Sequence, residues 1–372
     1  MCVTGPDRRR FIKLMLASTA ASSVLAVQAR AETAAMSLDE RVGQMLLLGF
    51  IGSGPDTGGA DNIAGHLEHR RIGGVLFLRH NVRSREGAEG SARRFSAIDR
   101  NAWMAIDQEG GLVQRLSRDL GYTHIPRAMQ VAEGRDVDGA RDLYRLSAAE
   151  FRAAGFNMNL APVADLHDPD NAVIGRHGRS YGEDGETVAA YAGAFIEAYQ
   201  QAGAVCAIKH FPGHGRSRGD SHHGFVDISE TWDDSELDPF RRLIDGGQAN
   251  LLMGGHLTHR GLDESGQPVT FSRPVLDGLL RQQMGFMGAI MTDDLDMAAI
   301  RENFEQREAV LRSIEAGNDI IMMSNSAAPD AELPQRITGW VREAIAEGRF
   351  DETRIDRSVA RLMVLKRRAG LG

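Results

Sequence analysis

The chain has 372 residues, enough for one large domain or two ordinary ones, and single α/β barrels commonly reach this length. Hydrophobic residues make up 42% and charged residues 25%, the balance of an ordinary globular chain with one full core. A formal net charge of -8, an aromatic content of 6% and no strong basic cluster beyond the N-terminus argue against a nucleic-acid partner.

In chain order, the first expected element is an export signal over residues 1–31. Arg8-Arg9-Arg10-Phe11-Ile12-Lys13 forms a basic region with a twin arginine, and an apolar run from Leu14 to Val27 follows. That run is too short and too rich in Ser and Ala for a comfortable membrane span. Ala29-Arg30-Ala31 then offers a small-x-small cleavage site, and the whole resembles signals of the twin-arginine export route. Residues 32–372 would be the mature catalytic domain, periplasmic or secreted and without a stable membrane anchor; a non-functional signal would leave it cytoplasmic. Of the two cysteines, Cys2 lies in the signal, so the mature chain can form no internal disulfide. Cys206, in an apolar run, is expected to be a buried inert thiol.

Eight short apolar runs recur along the rest of the chain: Met45–Phe50, Gly74–Leu78, Trp103–Asp107, Asn157–Val163, Val205–Phe211, Leu251–His256, Ala289–Asp293 and Asp319–Met323. Their near-continuous apolar character suits parallel strands covered on both faces. Helical spacing appears between them, over Ala140–Ala153, Thr187–Ala202, Leu276–Met284 and Glu305–Ala316, and a closing amphipathic helix is expected at Arg354–Ala369. Strand–helix repetition carried to eight predicts an α/β fold, a single (β/α)8 TIM barrel, with an open doubly wound sheet as the alternative. No Pro/Gly/Ser linker splits residues 32–372.

The polar residues at the ends of these runs carry the chemistry. Asp107, Asp165, Lys209-His210, His256 and Asp293-Asp294 all fall at C-terminal strand ends, which converge on one face of a parallel barrel. Lys209 and His210 can donate to polyol hydroxyls. After a Pro/Gly turn, Asp220-Ser221-His222 follows; Asp220 can orient His222 and favour its protonated form, which makes His222 a proton donor near neutral pH. Asp293 can attack an anomeric carbon and form a covalent ester. Asp107 can accept two hydroxyl hydrogens, with Arg115 clamping either the ring or Asp107. Glu109, followed by Gly110 and Gly111, is expected to serve a turn, and Asp294 and Asp296 to cap the following helix. His210, His214, His222 and His223 match no short metal-ligand spacing, so no metal is expected, and His214 and His223 are expected to be structural.

Together the segments KHFPGHG at 209–215, DSH at 220–222, DQEGG-x-V-Q-R at 107–115, N-x-APV-x-D at 159–165, RSYGED at 179–184 and TDDL at 292–295 resemble glycoside hydrolase family 3, in its β-N-acetylglucosaminidase branch. The resemblance runs from Leu38 to the end of the chain. It implies an exo-acting, retaining β-N-acetylhexosaminidase that needs no cofactor. Asp293 would be its nucleophile, His222 its acid/base and Asp220 the partner of His222. Asp107, Arg115, Arg179, Lys209 and His210 would bind a terminal N-acetylglucosamine of peptidoglycan fragments or chitooligosaccharides. Leu112 stands where the family often has Arg. Four further readings stay open: a phosphorylase using the same residues, a β-glucosidase of the same family, an inactive periplasmic glycan-binding protein, and a metal-dependent hydrolase. Oligomeric state is not legible.

Overall fold

The computed structural model describes residues 25, 27–219 and 225–371. Eight parallel strands follow one another round a barrel: β1 Leu46–Gly49, β2 Gly74–Phe77, β3 Trp103–Ile106, β4 Met158–Asn159, β5 Val205–Phe211, β6 Leu251–Gly254, β7 Ala289–Thr292 and β8 Ile321–Met323. Each pairs with its neighbours in sequence, β1 pairs with β8, and a parallel bridge from Met291 to Ile320 closes the ring between β7 and β8. All eight expected runs are therefore strands in the expected order, and the ring closes as a barrel rather than lying open.

The strands are shorter than the apolar runs. The run at 157–163 keeps regular strand only over Met158–Asn159, because Pro162 has no N–H to give to a ladder; Val163 still bridges Lys209. The five expected helices are present at Val137–Ala153, Gly185–Gln201, Pro274–Gln283, Gln306–Ala316 and Glu352–Arg368. The third is wound as a π-helix. Asp136, Asp184 and Asp351 start three of the others, each accepting a backbone N–H two residues into its helix.

Both faces of the strands are buried, as their composition requires. Aromatic rings join strands to helices outside the barrel: Phe77 packs against Phe95 with ring centroids 6.0 Å apart, and Phe211 meets Phe240 edge-on at 5.4 Å. Cys206 is buried and its thiol pKa is pushed up by desolvation, so the inert thiol is borne out. Residues 27–35 are helical, with Ala29 buried in the core and Glu32 paired to Arg367 at 2.6 Å, so the expected cleavage point after Ala31 falls within a packed segment. The rest of the expected signal lies outside the described residues apart from Leu25. Among the described residues, no helix is long and apolar enough to cross a membrane.

Candidate active site

Side chains at the C-terminal ends of the strands surround a cavity of about 270 Å³. Asp107 follows β3, Lys209 and His210 belong to β5, and Asp293 follows β7; with Arg115 and Arg179 they line this one space. Thus six of the eight expected site residues come together. The other two, Asp220 and His222, lie outside the described residues.

Asp293 sits at the cavity floor, where its Oδ1 accepts the Asp294 N–H at 2.8 Å. Burial alone would raise its pKa. His256, His210, that N–H and Lys209 outweigh the effect and hold the carboxyl below its ordinary value. A carboxylate held toward its ionised form beside open volume is what nucleophilic attack on carbon needs.

A ladder of alternating charges lines the same cavity. Lys209 Nζ donates to Asp107 at 2.9 Å and lies 2.8 Å from Glu109 Oε1. Glu109 in turn receives both arms of the Arg179 fork, at 2.9 and 2.8 Å, while Arg115 stands 3.6 Å from Asp107. Burial disfavours the charge on Glu109, but Arg179 and Lys209 overcome it and keep the carboxyl far below the usual range. Burial likewise opposes the charge on Lys209, and Asp107 and Glu109 raise its pKa. This corrects the turn role expected of Glu109. Its glycine neighbours do make a hairpin, Gln108–Gly110 against Val113–Gln114, yet the side chain itself is the hub of the ion network. The sequence carried one usable signal: two residues on from Asp107, an extended chain returns to the same face.

His210 is fixed from behind. The fully buried Asp165 accepts His210 Nδ1 at 2.7 Å and the backbone N–H groups of His210 and His214 at 3.0 and 2.8 Å. A proton on Nδ1 leaves Nε2 as the atom available to a ligand. Burial would raise the Asp165 pKa, but His210 and His214 outweigh it and keep the carboxyl ionised. Asp165→Asn should therefore cost about 1–3 kcal/mol in urea unfolding and release the His210 ring, raising KM more than it lowers kcat; unchanged kinetics would remove His210 from ligand binding.

The turn after β5 is held by glycines. At Gly213, with φ +118°, an added Cβ would meet Glu236 at 2.6 Å, and at Gly215 it would meet the Leu166 carbonyl at 2.2 Å. His214 lies between them, buried, with Nδ1 against Ser217 Oγ at 2.6 Å and its pKa pushed down to about 4 by burial and by His210. That is the structural histidine the sequence suggests.

Asp294 and Asp296 do not cap a helix. Both reach across to the segment after β8: Asp294 Oδ1 accepts the Ser324 N–H at 2.8 Å, and Asp296 Oδ2 accepts the Ser326 and Ala327 N–H groups, each at 3.0 Å. The helix that follows is only Ala298–Arg301, headed by Met297, and its two neighbouring carboxylates serve the β7–β8 seam instead. Asp294 also lines the cavity, and burial pushes its pKa up to about 6. Among the described residues no cluster of His, Cys, Asp and Glu is arranged to hold a metal ion.

Residues 37–365 match the model of the glycosyl hydrolase family 3 N-terminal domain. Beta-hexosaminidase LpqI of Mycobacterium tuberculosis is 38% identical over 273 residues, covering 71% of this chain and 67% of that protein. A beta-hexosaminidase of Tolumonas auensis is 36% identical over 270 residues, covering 70% of this chain and 78% of its own. Among solved structures, a glycoside hydrolase family 3 beta-N-acetylglucosaminidase from Paenibacillus sp. superposes with a TM-score of 0.82 at 33% identity over 90% of this chain. The chain spans 63% of the length of that protein. A match over nearly the whole barrel, with the charged strand ends in one cavity, establishes that the chain belongs to glycosyl hydrolase family 3.

Proposed function

We propose that the protein is a retaining exo-β-N-acetylhexosaminidase that removes terminal β-linked N-acetylglucosamine. The observation that carries this reading is the ionised Asp293 sharing with Asp107, Lys209 and His210 a cavity with room for about one sugar ring. The relatives named beta-hexosaminidase support the same sugar. In the first step Asp293 attacks the anomeric carbon while His222, oriented by Asp220, protonates the departing glycosidic oxygen. The glycosyl ester then yields to water, which His222 deprotonates. Two displacements at one carbon return the original configuration. Asp107 and Lys209 engage the ring hydroxyls, as a carboxylate and an ammonium already paired at 2.9 Å can do by exchanging one partner for another. Arg115, Arg179 and His210 complete the ring site, with the apolar Leu76, Leu78 and Met322 against its C–H faces. Peptidoglycan fragments or chitooligosaccharides are the proposed glycans. We also infer export of the chain by its twin-arginine segment, with the barrel following.

The test is hydrolysis of aryl N-acetyl-β-glucosaminides by wild type and His222→Ala. Wild type should turn over. His222→Ala should lose about 10²–10⁴-fold on a poor leaving group and far less in glycosylation on a dinitrophenyl aglycone, which departs without a proton. Equal losses on both substrates would remove His222 from proton transfer. Product release that requires added phosphate would instead indicate a phosphorylase.

A further inference from the structure

Away from the barrel mouth, a groove of about 480 Å³ runs between the helices Pro274–Gln283, Gln306–Ala316 and Glu352–Arg368, beside the residues that lead into β8. Seven arginines and three acidic side chains line it. Even with the adjoining Asp319 and Glu308 counted among the acids, the arginines stand two ahead, in a chain whose net charge is -8.

The existing contacts show where the surplus lies. Arg349 pairs with Glu308 and Glu315, and Arg312 with Glu308. The fully buried Asp319 accepts Arg281 at 2.7 Å, Arg361 at 3.1 Å and the Ser358 hydroxyl at 2.5 Å. Arg354, 8% exposed, gives its hydrogen bonds to neutral groups, the carbonyls of Ile314 and Asn318 and the Ser358 hydroxyl, and lies 3.9 Å from the Asp319 carboxylate that Arg281 and Arg361 already engage. Arg357 is exposed, and its hydrogen bond among the described residues is a long one, 3.4 Å to Thr353. Arg357 and Arg361, four apart on one helix, stand side by side over this wall. The crowding registers on the buried members. Burial, and then Arg361, Arg281 and Arg357, push Arg354 down to about 10, and burial and Arg361 lower Arg281 as well.

We propose that this groove is a second ligand site, which takes the phosphate group of a phosphate ester between Arg357 and Arg361. A phosphate dianion matches an excess of two positive charges, and its terminal oxygens suit two guanidinium forks. A groove of about 480 Å³ holds more than the bare ion, so the ester's organic part lies along the Arg273 side. The ester could come from solution or from a lipid headgroup.

Titration calorimetry of the whole chain with glycerol 3-phosphate, beside flotation with vesicles containing phosphatidic acid, whose headgroup is likewise a phosphate monoester, tests the site. Saturable binding is expected, weakened at least about tenfold by Arg357→Ala and lost with Arg357→Glu. Aryl glucosaminide hydrolysis should stay unchanged in both variants. Because Arg357 is exposed, neither variant should move the melting temperature by more than a degree or two. Binding of the soluble ester identifies a solution ligand; binding only of vesicles, released by the same variants, identifies a headgroup. No saturable binding in either arm, or binding undiminished in Arg357→Glu, overturns the proposal.

Discussion

Replacing Asp293 with alanine should abolish turnover of an aryl N-acetyl-β-glucosaminide, by at least about 10⁴-fold in kcat, while leaving the fold intact. The two halves of that expectation have separate grounds. Among the described residues the Asp293 side chain accepts a hydrogen bond from the residue next to it and otherwise lines the cavity, so its loss breaks no tertiary hydrogen bond there. Its chemistry has no substitute among the described residues. Asp107 and Glu109 are bound to Lys209, Arg179 and Arg115, and Asp294 is tied to the β8 segment. Azide should restore part of the activity of Asp293→Ala with inversion, because the small anion can occupy the place of the missing carboxylate. Wild type should release the β-anomer first by NMR. An inverted first product would exclude the two-step route. If instead the substrate's own acetamido group were the nucleophile, wild type would still retain configuration, but a 5-fluoro glycosyl trap would leave no label on the peptide containing Asp293.

Much of this arrangement was legible because barrels translate sequence position into spatial position with few exceptions. A run of apolar residues that ends in a charged one places that charge at the mouth, and Asp107, Lys209, His210 and Asp293 all obey. The rule weakens wherever the backbone leaves the strand. Glu109 follows a strand end by three residues, inside a small hairpin whose course depends on Gln108 bonding Leu116 through both its amide oxygen and nitrogen. Nothing local in Asp-Gln-Glu-Gly-Gly announces that partner. Asp294 and Asp296 were misread for a related reason. A carboxylate before an apolar stretch usually caps a helix, but here the N–H groups of Ser324, Ser326 and Ala327, brought alongside by barrel closure, lie closer. The contacts between the segments after β7 and β8 span thirty residues, and side chains that serve them cannot be recognised from their own neighbourhood. Arg179 was found by motif alone; its fork on Glu109 supplies the physical reason it belongs in the cavity.

Glu109→Ala should be the most destabilising single change in the cavity, costing about 3–5 kcal/mol in urea unfolding. The carboxylate is 8% exposed and sits between two cations, so its removal leaves like charges facing one another in a desolvated space. Arg179 fares worse, since its remaining hydrogen bond among the described residues is a long one, 3.4 Å to the Val173 carbonyl; Lys209 keeps Asp107. Glu109→Gln preserves the shape and loses the charge, and should fall between wild type and alanine. The pH dependence follows from the depressed pKa. A carboxyl held lower in the folded state than in the unfolded chain stabilises the fold above its ordinary value, about 4.3 for Glu, and that contribution fades as pH falls through the folded value. The stability gap between wild type and Glu109→Gln should therefore be flat from pH 8 to 5 and narrow only below about pH 4. Activity should fall through KM as well, because Arg179 and Lys209 swing toward new partners and no longer present themselves to a sugar. A Glu109→Ala variant with wild-type unfolding and wild-type KM would mean that Lys209 and Arg179 are held by other groups, and that the charge ladder is incidental to both the barrel and its site.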